Sequence, residues 1–241
     1  MPFLPRAIAP ELVAKLEEFA KTNDFADLYK RYNWRNDTYR NGFPEILKLE
    51  LRLSASDKSN GISREDVLAI LKWGRLPNPK QIRWTDGVLK ANTLHTDWGA
   101  PNPNLEADPL SPTKDIKKNV PSGLGPTYIS KVLRFALAEE YGAIDTRCVR
   151  VFGKGDPTAA LHPWLNLRVV QYKGRWNIPP IQAGWPTEYG TWINILRYFR
   201  RVLPYNCPHP AGFVDAGQRR EGKWTCADIE MVLFCYASQF T

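Results

Sequence analysis

PSGLGPTYISKVLRFALAEEYGAIDTRCVRVFG, residues 121–153, is the stretch from which the rest of the chain is read. Gly123 and Gly125 flank one apolar residue, Leu124, and Pro126 stands where a helix begins. Proline suits that place because its missing N–H is one the first helical turn leaves unpaired anyway. Two glycines followed by a helix start make a tight bend. Its outward N–H groups and the positive end of the helix suit an anion such as a phosphate. Leu124 is placed to plug the space between the segments on either side. Ile129, Val132, Leu133 and Ala136 then form one apolar helical face. Asp145 follows the apolar pair Ala143-Ile144 and precedes Thr146 and a short apolar and basic run to Val151. Taken by itself, Asp145 reads as a helix N-cap.

Upstream, residues 10–22 place Leu12, Val13, Leu16, Phe19 and Ala20 on one helical face. Phe43–Leu53 is ambiguous between helix and strand. Ser63 with Asp66 forms a capping-box pattern ahead of Val67, Ile70 and Leu71, and Gly74 ends that helix. Residues 77–120 are rich in Pro and lack a clean period; they read as an irregular excursion with one short helix near Ile82–Ala91. Downstream, residues 164–180 read as a small β-hairpin. Leu165, Leu167 and Val169 alternate, Lys173-Gly174 supplies the turn, and Trp176 and Ile178 return. Thr187–Leu203 is the clearest helix, with Tyr189, Trp192, Ile193, Leu196 and Phe199 sharing a face. Residues 204–223 read as a loop rich in Pro, Gly and Arg. Thr225 with Asp228 caps a last helix that buries Ile229, Val232, Leu233 and Tyr236.

The 241 residues suffice for one large domain or two lobes sharing a cleft. A hydrophobic fraction of 43% and a charged fraction of 24% exclude extended disorder. The formal net charge of +8 favours a polyanionic partner, because neutralised phosphates release counterions. No apolar run reaches the roughly 18 residues of a membrane helix, and the N-terminus lacks a signal-peptide core. A chain that works inside the cell, as a monomer and away from membranes, is the expectation. Cys148, Cys207, Cys226 and Cys235 contain no C-x-x-C pair, which argues against a zinc site or a compact iron–sulfur loop and for free, mostly buried thiols. His95, His162 and His209 are too scattered to propose a metal.

Taken together, the two halves of residues 121–153 resemble the helix-hairpin-helix DNA glycosylase superfamily, which includes endonuclease III, the adenine glycosylase and the 8-oxoguanine glycosylases. The family pattern is G-[VIL]-G, a helix, then an apolar residue and D-[TS]-[HR]-x-x-R-[VI]. Gly123-Leu124-Gly125 meets the first half and Asp145-Thr146-Arg147-Cys148-Val149-Arg150-Val151 the second, at the family's interval. The closing segment Trp224–Phe240 is similar in style to the family's last helix. The resemblance implies a mostly α, two-lobed fold over residues 1–241. Within it, residues 112–153 would form the helix-hairpin-helix and catalytic-aspartate segment, and residues 164–180 a β-hairpin insertion. It implies double-stranded DNA with a damaged or modified base as the partner, and no cofactor. Ser122, Gly123, Leu124, Gly125, Pro126 and Thr127 would grip one strand, with Arg147 at a phosphate near the extruded sugar. Lys114, Lys117 and Lys118 either extend that grip or form a solvated face. Asp145 would stabilise positive charge developing at C1′, or orient the nucleophile, as the base leaves.

The chain departs from the pattern at one place. Strand-cleaving members carry a nucleophilic lysine two residues after the second glycine, and Thr127 stands there. Lys131 lies one helical turn further on roughly the same face. Either Lys131 is a displaced nucleophile, desolvated in the cleft, or it binds phosphate or sits at the surface and water attacks instead. Tyr128 and Trp185 are the aromatic candidates for a base pocket; Trp192 belongs to the core, Arg150 to an internal ion pair, and Asp228 to the Thr225 cap. The rival readings are a non-catalytic helix-hairpin-helix DNA-binding protein and a structural protein whose positive charge is incidental.

Overall fold

A computed structural model describes residues 8–76, 82–84, 124–156, 158–185 and 187–241. The described chain runs α1 (Pro10–Thr22), α2 (Phe25–Arg31), β1 (Asn33–Trp34), β2 (Asp37–Thr38), α3 (Pro44–Lys58) and α4 (Arg64–Trp73). It continues with α5 (Pro126–Ala136), α6 (Thr146–Phe152), β3 (Val170–Tyr172), β4 (Arg175–Asn177), α7 (Thr187–Val202), α8 (Ala211–Asp215) and α9 (Cys226–Ala237). The fold is mostly helical, with two small antiparallel pairs, β1–β2 and β3–β4.

Local chemistry sets the helix ends. Asp24, Ser63, Asp145 and Thr225 each accept a hydrogen bond from a backbone N–H of the first turn of α2, α4, α6 and α9. Both capping boxes expected from the sequence form, Ser63 with Asp66 and Thr225 with Asp228. The ambiguous run after Phe43 is helical. Its buried residues, Ile46, Leu49, Glu50, Leu53 and Asp57, follow a 3.6-residue period, whereas a strand would bury alternate positions.

The packing falls into two groups joined by one continuous apolar core. Helices α3, α4 and α5 pack on one another, and α9 packs against α2, α6 and α7. Helix α9 is apolar on nearly all sides, and its residues Cys226–Phe234 are buried, as befits a helix surrounded by others. Aromatic rings fill much of the core: Phe19 meets Phe25, Phe152, Trp164 and Tyr236 edge-on.

Two sequence expectations change. The hairpin at 164–180 is shorter as a ladder, with strands at Val170–Tyr172 and Arg175–Asn177 only. Leu165, Leu167 and Val169 do alternate inward. The backbone here, however, bonds Phe152 (from Leu165), Lys154 (to Leu167) and the Gln182 side chain (from Arg168) instead of a partner strand. Alternation therefore records which side chains face the core and not ladder pairing. Tyr236 is half-buried, its hydroxyl 2.9 Å from His162 Nε2. Of the excursion at 77–120, Ile82, Arg83 and Trp84 are described; the rest of it, the helix read near Ile82–Ala91, Lys114, Lys117, Lys118 and His95 lie outside the described residues.

The four cysteines are free, three of them buried and Cys235 half-buried. Burial pushes all four thiols up, Cys226 to about 12. No helix among the described residues is long and apolar enough to cross a membrane.

Candidate active site

Helix α5 starts as its sequence directs. Gly125 is the N-cap, Pro126 fills the first turn, and Leu124 is buried in the core. Gly125 has φ −80°, which any residue can adopt, and a Cβ there would meet nothing within 4 Å. Nothing among the described residues therefore requires glycine at this position. Thr127 is half-buried in the first turn. Ser122 and Gly123 lie outside the described residues.

One turn further along α5, Ser130 ties two elements together. Its hydroxyl donates to Thr127 O at 3.0 Å and accepts from Ile144 N–H at 3.0 Å. The loop 142–144 is thus pinned to α5. Helix α7 holds its other side, with Tyr189 Oη donating to Gly142 O (3.1 Å) and Trp192 Nε1 to Ala143 O (3.0 Å). Gly142 lets α9 approach, since a Cβ there would lie 2.8 Å from Glu230 Cβ. The residue that follows this clamped loop is Asp145.

Asp145 divides its two oxygens. Oδ1 accepts from Arg147 N–H at 3.0 Å and so caps α6. Oδ2 faces Lys131 Nζ at 3.8 Å. The side chains of Lys131 and Asp145 are 8% and 16% exposed, so the pair is largely withdrawn from water yet not sealed. The Lys131 amine also sits 5.5, 5.2 and 5.4 Å from the ring centres of Trp34, Trp73 and Tyr128, in reach of cation–π attraction from three faces.

Lys131, Asp145, Trp34 and Trp73, but not Tyr128, line a pocket where the two helix groups meet. Its walls are Tyr32, Trp34, Trp73 and Phe234, its polar groups Lys131, Arg134, Asp145 and Glu230. About 20 Å³ of it admits a water-sized molecule, enough for about one water. Glu230, which no sequence motif marks, is buried at its floor. Burial pushes the carboxyl up to about 7 against the pull of Arg134 and Lys131, with Asp145 adding to the rise. Around neutral pH it therefore holds or releases a proton beside the Lys131–Asp145 pair. A signal existed: Glu230 is an acid inside the apolar run Ile229–Phe234. Behind it, Arg134 lies 3.6 Å from Glu230 and 2.6 Å from Glu50, and Glu50 also receives Arg219 at 2.7 Å.

The remaining candidates distribute as follows. Tyr128 donates to Gly74 O at 2.7 Å, bracing α5 against the end of α4, with its ring toward Lys131. Burial, then Asp145, pushes its hydroxyl up to about 12. Trp185 packs on Tyr189, 5.9 Å between rings, and is not among the residues lining this pocket. Trp34, Trp73, Tyr32 and Phe234 line it instead; no local sequence pattern joins them, because they come from three places far apart in the chain, Tyr32 with Trp34, then Trp73, then Phe234. Arg147 stacks across Trp34 and Phe234, at 5.6 and 5.1 Å, at the pocket's edge. Arg150 binds Asp156 at 2.5 Å, Trp192 is fully buried, and Asp228 completes the Thr225 cap, as read from the sequence.

Cys207, His209 and Asp228 present ligand-type atoms within 4.8 Å of one another. Arg219 Nε already contacts both Asp228 oxygens, at 2.9 and 3.1 Å. That guanidinium supplies the positive charge here, and the donor set does not fit an added cation. Burial alone would raise Asp228, but Arg219, His209 and Thr225 hold it well below the usual carboxylate range.

Comparisons of the chain with family models, with curated proteins and with solved structures find no match.

Proposed function

We propose that the chain is a DNA glycosylase-type enzyme that cleaves the N-glycosidic bond of a base extruded from duplex DNA. One observation carries the reading: Lys131 Nζ lies 3.8 Å from Asp145 Oδ2 within an aromatic-walled pocket at the N-terminus of α6. A surface lysine would not be buried among three rings. A capping aspartate alone has no need of a lysine at its second oxygen.

In the proposed reaction the sugar of an extruded nucleotide stands before Asp145. The carboxylate stabilises positive charge as the C1′–N bond to the base lengthens. The Lys131 ammonium first gives up one proton to the base, which frees the nitrogen lone pair to attack C1′. A C–N bond to lysine forms while the bond to the base breaks, and the base departs with that bond's electron pair and the proton. Opening of the sugar ring then gives a Schiff base, from which the strand can be cleaved. The aromatic walls offer faces for a flat base. A nucleoside needs far more than the space of one water, so these walls must part on binding.

The narrow pocket favours a second reading, a DNA-binding protein in which the Lys131–Asp145 pair is structural. A panel of duplexes, each bearing one lesion or an abasic site, separates the two when scored for base release and for nicking. Borohydride should trap the wild-type protein on abasic DNA, and Lys131→Ala should abolish the adduct. Asp145→Asn should keep the α6 cap and DNA binding but lose base release at least a hundredfold. DNA binding without adduct, nicking or release on any duplex would establish the second reading instead.

A further inference from the structure

Between Phe152 and Trp185 the sequence carries Lys154, Arg168, Lys173 and Arg175 against one acid, Asp156. Asp156 is buried and bound by Arg150 and Thr158, so it offsets none of that charge toward solvent. All four basic residues are exposed.

The β3–β4 ribbon gives this charge a shape. Its register pairs Val170 with Asn177 and Tyr172 with Arg175 on one face, and Gln171 with Trp176 on the other. The second face is anchored: Arg150 of α6 stacks on Trp176 at 4.6 Å. The first face is exposed, Tyr172 by 64% and Val170 as well. Lys173 and Gly174 form the turn with φ +49° and +74°. A hairpin turn of this kind prefers Asn-Gly, so a lysine there holds a strained backbone and keeps a cation at the tip, 5.3 Å from the Tyr172 ring. The base of the ribbon is fixed as well. Lys154 N–H donates to Leu167 O at 2.6 Å, and Gln182 accepts from Arg168 N–H at 2.9 Å.

Its position follows from α6. Asp145 caps the start of that helix, and Arg150, which carries the ribbon, lies about 7.5 Å further along at the usual rise of 1.5 Å per residue. A two-stranded ribbon is also a shape that a DNA groove accepts.

We propose that the β3–β4 ribbon is a second DNA-contact arm, in which Lys154, Arg168, Lys173 and Arg175 meet backbone phosphates and Tyr172 lies against a sugar or base. The arm rests on the reading of DNA as the partner but not on any chemistry at Lys131. It would hold the duplex about 7.5 Å along α6 from Asp145.

The test is fluorescence anisotropy of the full chain with a labelled duplex bearing a tetrahydrofuran abasic analogue, over a range of salt. Arg168→Ala, Lys173→Ala and Arg175→Ala combined should weaken binding at least tenfold. They should also flatten the salt dependence by about 0.9 per lost phosphate contact. Tyr172→Ala should weaken binding several-fold with the salt slope unchanged, since stacking releases no counterions. Matching thermal melts would show that these surface changes leave the fold intact. A triple variant with wild-type affinity and slope would overturn the arm while leaving the glycosylase reading standing. Failure of the wild-type chain to bind duplex at any salt would overturn both. Loss of binding to anionic phosphatidylglycerol vesicles alone, with duplex binding unchanged in the triple variant, would reassign the ribbon to a membrane surface and overturn the proposal.

Discussion

Asp145 shows how one side chain divides between two partners, with one oxygen capping α6 and the other meeting Lys131. Both residues were legible because their types and spacing form a local pattern. Ser130 and Glu230 were not: a serine within a helix and an acid within an apolar run gain meaning only from what lies opposite in space. Glu230 makes a pH prediction. Its carboxyl rises from 4.5 to about 7 on folding, so between those values the folded state holds a proton that the unfolded chain has released. Stability therefore falls as pH rises through this window and levels off above it. Each tenfold change in proton affinity is worth about 1.4 kcal/mol, which makes the whole effect about 3 kcal/mol. Glu230→Gln should gain stability relative to the wild type between pH 5 and pH 8. Urea unfolding at several pH values measures the gap, and a constant gap would refute the assignment.

At the scale of elements, the caps and turns of α4, α9 and the ribbon were readable because each is a contract between residues a few positions apart. The run after Phe43 was not, since its closely spaced leucines and isoleucine fit either period until the buried set is known. The region 165–169 misled in the other direction, its alternation being real and its ladder absent. The ribbon turn yields a prediction at this scale. Lys173→Asn should relieve the left-handed backbone and raise stability by about 0.5–1 kcal/mol, while lowering DNA affinity. Gly142→Ala should act the opposite way. Its Cβ would press on Leu196 and Glu230 and displace α9 from the loop that bears Asp145. A loss of about 1–3 kcal/mol is expected, together with loss of the borohydride adduct, as read by thermal melting and gel shift.

Across the whole molecule, buried charge joins the two helix groups. Glu50 of α3 receives Arg134 from α5 and Arg219 from the loop before α9, and Arg219 passes on to Asp228. The partners stand 84 and 169 residues apart in sequence, and no periodicity announces such pairs. An acid on the apolar face of α3 was the one visible sign. Glu50→Gln would leave two guanidiniums underpaired in the interior, costing about 3–5 kcal/mol and lowering the melting temperature by on the order of 10 °C. A melting temperature within about 2 °C of the wild type would show that the network carries little of the stability. The shielding of the native thiols has a practical corollary for labelling. All four hold their protons more tightly than a free cysteine, so maleimides and similar reagents find little thiolate at neutral pH. A single cysteine introduced on the exposed ribbon, at Tyr172 for instance, would then carry a fluorophore or spin label against a quiet background. Its distance to a second tag could be followed without first stripping the chain of its own sulfur.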